Sequence, residues 1–141
     1  MSAFQELFDL IGELARRRHQ SAERSYAAMG LNHTEARLLM VLRKEGGEAG
    51  QDVLANQLSV DRTNAGRALQ RLEDGGYIQR RKDEQDKRAK QVEMTAKGRK
   101  AVMEIGKLRA KMAESGRRIL KFVADNDFKT AVDPILFQSQ S

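Results

Sequence analysis

The chain has 141 residues, 40% of them apolar and 33% charged, with a formal net charge of +6. That length suits one ordinary domain able to bury its own core. The lack of cysteine excludes disulfides, thiolate metal sites and cysteine-based redox sensing, and two histidines, His19 and His33, are too few for a conventional zinc cluster. The opening "MSAFQELFDLIGELARRRHQ" carries charges every few residues and no basic leader. It reads neither as a signal peptide nor as a membrane span, so a cytoplasmic protein is expected.

Helical periodicity dominates the pattern. Phe4, Leu7, Phe8, Ile11, Leu14 and Ala15 recur at three- and four-residue steps, which predicts a long helix from about Ala3 to Met29, stopped by Gly30. In "NHTEARLLMVLRKEGG", Thr34 is the expected N-cap of a helix whose core face is Leu38, Leu39, Val41 and Leu42, ending at Gly46-Gly47. A short helix follows in "QDVLANQLSV", with Val53, Leu54 and Leu58 inward, then a turn at Ser59-Val60. Asp61 caps the next helix, "RTNAGRALQRLED", which stops at Gly75-Gly76. Tyr77-Ile78 and Val92-Met94 read as two short strands joined by a charged hairpin. Thr95 is the expected cap of a long last helix marked by Val102, Ile105, Leu108, Met112, Ile119 and Leu120. The tail holds Phe128, Val132, Ile135, Leu136 and Phe137, a short helix interrupted by Pro134. The expected fold is mainly α with a small β-hairpin wing: a winged helix-turn-helix between long flanking helices.

Charge is unevenly spread. Between Asp61 and Lys100 lie twelve Lys/Arg and seven Asp/Glu, whereas the other 101 residues hold fourteen and thirteen. The excess therefore sits in one segment, as expected of a surface for a polyanion, although a solvated basic face would have the same composition. On the helix from Arg62 to Asp74, Ala65, Ala68, Leu69 and Leu72 fall on one side and Thr63, Arg67, Gln70 and Arg71 on the other, with Asn64 on the flank. Arginine can donate two bonds to guanine, and Asn or Gln can pair with adenine. Gly66 inside this helix costs about 1 kcal/mol against alanine, which suggests that something approaches closely. The hairpin concentrates Arg80, Arg81, Lys82, Lys87, Arg88 and Lys90. Such a thin ribbon cannot bury much, but beside a duplex its cations would follow phosphates or enter the minor groove.

The stretch "LEDGGYIQRRKDEQDKRAKQVEMTAKG" resembles the wing of the MarR family (multiple antibiotic resistance regulators), with its L-E-x-x-G-L-[IV]-x-R, D-R-R and L-T-x-x-G pattern. The matches are Leu72, Glu73, Gly76, Ile78, Arg80, Asp86, Arg88, Thr95 and Gly98. "GLNHTEARLLMVL" and "VLANQLSVDRTNAGRALQRLE" resemble the family's preceding helices. The resemblance implies a homodimer whose first and last helices interlock, and DNA-binding transcriptional control, often repression relieved by a small aromatic or anionic ligand. It implies Thr63, Asn64 and Arg67 as base readers, Arg62, Arg71 and Lys90 as phosphate contacts, and Arg88 in the minor groove with Asp86 positioning it. Lys87 departs from the middle arginine of D-R-R, and Tyr77 replaces the usual leucine.

The division expected is 1–30 for a dimerisation helix, 31–98 for the winged helix-turn-helix and 99–141 for a second dimerisation helix with its tail, in one continuous structural domain. The apolar stripes of the outer helices exceed what a small winged helix covers, and such stripes mark an interface. The expected interface residues are Phe4, Leu7, Phe8, Ile11, Ile119, Leu120, Phe128, Val132, Ile135 and Leu136. An effector crevice would lie between these helices and the winged region, near Arg16–His19, His33 and Arg37. The expected partners are double-stranded DNA, a second copy of the chain and such an effector, in the nucleoid of a bacterial or archaeal cell. No cofactor, metal, membrane or catalytic motif is indicated. The competing reading is a winged-helix module that binds proteins or nucleic acid without sequence preference.

Overall fold

The computed structural model describes residues 2–82, 85 and 90–117, and for Ala3, Phe4, Leu7 and Ser115 the backbone alone. Asp86, Lys87 and Arg88 of the expected wing lie outside the described residues. So do Ile119, Leu120, Phe128, Val132, Ile135 and Leu136 of the expected interface, together with Pro134 and the side chains of Phe4 and Leu7.

Helix α1 (Ala3–Ala28) starts on a reciprocal cap, in which Ser2 accepts from the Gln5 amide and Gln5 accepts from the Ser2 amide. It ends where Gly30 takes φ +77° and the Leu31 amide donates back to the Tyr26 carbonyl at 2.8 Å. Helix α2 (His33–Lys44) is capped by Asn32 rather than by Thr34. Asn32 Oδ1 accepts from the Glu35 amide at 2.8 Å and Glu35 Oε2 accepts from the Asn32 amide at 3.2 Å. Asparagine caps at least as well as threonine and lies two residues earlier, so Thr34 falls inside the first turn.

Gly46 and Gly47, at φ +90° and +92°, turn the chain into strand β1 (Glu48–Gly50). This strand was not expected, because three residues are too short to show alternation. Helix α3 (Gln51–Leu58) buries Leu54, Ala55 and Leu58, while Val53 is 43% exposed, contrary to its expected inward place. The inner face is set by Leu54 and its i+4 partner Leu58, which turns Val53 to the rim. Helix α4 (Arg62–Asp74) is capped by Asp61, and its face of Ala65, Ala68, Leu69 and Leu72 is buried as expected.

Strands β2 (Ile78–Lys82) and β3 (Lys90–Met94) form the wing, longer than the expected pair, with Tyr77 left in the turn before β2. Together with β1 they make an antiparallel sheet in the order β1-β3-β2. Helix α5 (Ala96–Ser115) begins at Thr95, whose hydroxyl accepts from the Gly98 amide at 3.1 Å. The chain divides into two compact units, 1–108 and 109–141. In the second, the described residues are the end of α5 and the residues up to Arg117, which pairs with Glu114 at 3.4 Å on an open surface.

In the first unit the core is built from Leu38, Leu39, Leu42, Leu54, Leu69, Leu72, Ile78, Val92 and Ile105. Val41, expected among them, is half-buried. α4 is thereby anchored on α2 and α3 along one side, and its other side faces solvent. The base of the wing is held just as closely. A Cβ on Gly98 would stand 2.2 Å from the Tyr77 carbonyl oxygen and 2.8 Å from Met94 Cγ. Gly98→Ala is therefore expected to destabilise the fold by about 1–3 kcal/mol, the usual cost of overpacking. Urea unfolding of the two proteins, compared by midpoint at equal slope, checks this.

Candidate nucleic-acid interface

The interface is built on the solvent side of α4 and on the wing beside it. Thr63, Asn64, Arg67, Gln70 and Arg71 are all exposed, and Arg62 stands at the first turn. Asp61 fixes that first turn. Its Oδ1 accepts from the Asn64 amide at 2.8 Å, and this backbone bond holds the Asp61 carboxyl below its ordinary 3.8. The Asn64 side chain donates to the other oxygen of the same carboxylate at 2.6 Å, so this expected base reader is bonded back to the cap. Arg62 lies 3.8 Å from Asp52, but side chains 85% and 68% exposed make that pair weak.

The expected DNA-facing residues of α4 differ in how far they are engaged within the chain. Thr63 and Arg67 project freely, and among the described residues Arg67 makes no ion pair. Arg71 and Gln70 are engaged within the chain. Arg71 Nε donates to Glu35 Oε1 at 2.9 Å, and the Glu35 side chain is only 7% exposed. Removing that guanidinium would leave a buried carboxylate without its counter-charge, so Arg71 ties α4 to the cap of α2 before it can touch a phosphate. Gln70 donates to Asp74 at 2.9 Å and accepts from Arg80.

Arg80 requires a correction. Expected as a wing contact to DNA, its side chain is 9% exposed. Its guanidinium donates to Gln70 and lies 3.4 Å from Glu73 Oε1, and its amide donates to Glu73 Oε2 at 3.0 Å. The cause is strand alternation. Ile78 points into the core, so Arg80, two residues on, shares its face. Arg80 thus fastens the wing to α4.

Arg81 reaches across the sheet to Glu48 at 2.6 Å and approaches Glu93 at 3.9 Å, offsetting two carboxylates that face each other in the β1–β3 register. Lys90 is exposed, as expected, and sits directly opposite Lys82. Facing like charges weaken a strand pair, and an external anion between them would relieve the repulsion. Lys82, counted among the hairpin cations but given no contact of its own in the sequence, is exposed at this end of the wing. It stands in phase with Ile78 and Arg80, so alternation alone would turn it inward; its place at the end of the strand opposite Lys90 leaves it exposed.

Among the described residues no group of three or more His, Asp or Glu side chains could hold a metal ion, and no helix is long and apolar enough to cross a membrane. His19 and His33 stack on each other with ring centroids 3.8 Å apart, joining α1 to the start of α2.

A helix carried on two others, with an outward polar face and a basic two-stranded ribbon beside it, defines a winged helix-turn-helix fold. Residues 31–90 match the model of the MarR family. The HTH-type transcriptional regulator YybA of Bacillus subtilis (strain 168) is 48% identical over 50 residues, which span 36% of this chain and 33% of that relative's length. A MarR transcriptional regulator from Methanosarcina mazei Go1 superposes with a TM-score of 0.68 at 26% identity, over 92% of this chain and 98% of that one. A mutant MarR from E. coli complexed with operator DNA has a TM-score of 0.67 at 20% identity, over 100% of both chains.

Gly66 lies half-buried in α4, where an added Cβ would meet Gln51 Nε2 at an ordinary 3.7 Å. The fold itself therefore does not require glycine there. Gly66→Ala is expected to raise stability by about 1 kcal/mol through helix propensity. A lower thermal midpoint in the variant would show instead that the packing of α3 on α4 needs the glycine.

Proposed function

We propose that the protein is a sequence-specific DNA-binding regulator, acting as a homodimer on a pseudo-palindromic operator, as a repressor. The observation that carries the reading is that Arg67 and Thr63 stand uncommitted on the outer face of α4, next to a wing edge where Lys82 and Lys90 face each other. Arg67 is assigned to a base edge, and Arg62, Lys82 and Lys90 to phosphates. Arg88 is assigned to the minor groove with Asp86 positioning it, and Lys87 to the duplex beside them, as the resemblance implies. The match of residues 31–90 to the MarR family model and the operator complex of the similar E. coli protein support the choice of duplex DNA over an acidic protein.

Dimerisation is supported by an exposed apolar row on α1, formed by Phe8, Leu10, Ile11 and Leu14 at 59%, 64%, 40% and 41% exposure. Phe4 and Leu7 extend that row in the sequence, and residues 99–141 are assigned to the same interface. A twofold dimer would present its α4 helices roughly 34 Å apart, about one duplex turn. Release by a small anionic ligand is supported by a cavity of about 330 Å³ lined by Arg43 and Arg99 over Met94, Val102 and Met103. That cavity lies away from Arg16–His19. The setting proposed is the nucleoid of a prokaryotic cell.

Selection of genomic fragments on the purified chain, run beside Arg67→Ala, tests this function. The expected outcome is an inverted repeat for the native protein. In the variant, one position in each half-site should relax, with a loss of about 1–3 kcal/mol. Fragments that bind alike, with affinity following salt alone, would favour the competing module without sequence preference.

A further inference from the structure

Three residues, Gly75 to Tyr77, carry the chain from α4 into the wing, and both flanking helices converge on them. From the α5 side, Lys97 Nζ donates to the Gly75 carbonyl at 2.6 Å, the Thr95 hydroxyl to the Gly76 carbonyl at 2.6 Å, and the Thr95 amide to the Tyr77 carbonyl at 3.1 Å. From the α1 side comes a single bond. The Tyr77 hydroxyl donates to the carbonyl of Met29, the C-cap residue of α1, at 2.9 Å. The ring itself is clamped, with Lys97 Nζ 4.6 Å from its centroid and Gly75 so close beneath that a Cβ there would stand 2.9 Å from Tyr77 Cε2. The phenol therefore has little freedom to follow α1 if that helix moves.

We infer that Tyr77 is a positioning residue that couples α1 to the α4–wing junction and so sets the angle at which the chain presents α4. The inference rests on the reading of α4 and the wing as a duplex-binding unit. Two features make it specific to this chain. The carbonyl it engages belongs to a helix end, where carbonyls lack partners within the helix. A leucine, the residue usual at this place in the wing pattern, would fill the same space without donating a bond. In a dimer built on α1, fixing α1 against α4 fixes the separation of the two reading helices. Tyr77 then acts on the permitted spacing between half-sites, and not on which bases are read.

The test is a binding selection on duplexes with varied half-site spacing, using the full native chain, Tyr77→Phe and Tyr77→Leu. Circular dichroism confirms that each is folded. The native chain is expected to prefer one spacing, and both variants to keep the same half-site bases. Their preference for that spacing over one a base pair longer or shorter should fall about fivefold, the factor that one net hydrogen bond is worth. An unchanged spacing preference in folded variants overturns the inference while leaving the DNA-binding reading intact. Variants that both fail to fold, or that lose half-site bases along with spacing, show a merely structural tyrosine and also overturn it. A native chain that selects no sequence removes the DNA-binding reading, and this inference falls with it.

Discussion

The guanidinium of Arg80 is the constraint on which the proposed reading surface depends. It is nine-tenths covered, and it lies between Gln70 and Glu73 on α4 while its own backbone belongs to the wing. A charge in that setting is tolerated because carboxylate and amide oxygens receive it, and losing those acceptors would be costly. The bridge adds a polar tie between two elements that also meet through the turn and through the core around Leu72 and Ile78. With it in place, the exposed side of α4 and the exposed edge of the wing form one continuous surface of fixed shape.

A second ionic contact ties the same turn of α4 to α2. Arg71 holds the buried carboxylate of Glu35, and Glu35 also accepts from the amide of its own cap residue, Asn32. One side chain thus fixes the start of α2 and the register of α4 upon it. The cations of this segment therefore have different tasks. Arg71, Arg80 and Arg81 build the surface, whereas Arg67, Lys82 and Lys90 are presented by it. This division explains how a chain can crowd like charges into a small region. Some of the positive charge is offset internally by Glu35, Glu48 and Glu73, and the remainder stands outward where an external anion can meet it.

Much of this was legible in the sequence. The inner face of α4, its Asp61 cap, the stop at Gly75-Gly76 and the Thr95 cap follow from local rules, because helix periodicity and capping depend on nearby residues. What escaped depends on partners distant in the chain. Strand β1 exists because β3 offers it an edge, and no three-residue stretch carries that information. The Arg71–Glu35 pair spans 36 positions and could not be read from either neighbourhood. Arg80 was open to better reading, since alternation from Ile78 already turned it inward; the crowding of cations around it suggested DNA instead. Thr34 lost the cap to Asn32 for a local reason, as two good capping residues stood close together and the earlier one had Glu35 at the right distance to reciprocate.

The most direct test of this division is the salt dependence of binding to a selected duplex, measured for Lys90→Ala and Arg80→Met beside the native chain. Removing Lys90 should lower the slope of log affinity against log salt by about one, the signature of a lost phosphate contact, with the melting temperature unchanged. Arg80→Met should leave the slope as it was and lower the melting temperature. If Arg80→Met instead reduced the slope by about one without affecting stability, Arg80 would be a phosphate contact after all, and the separation of builders from readers would be wrong.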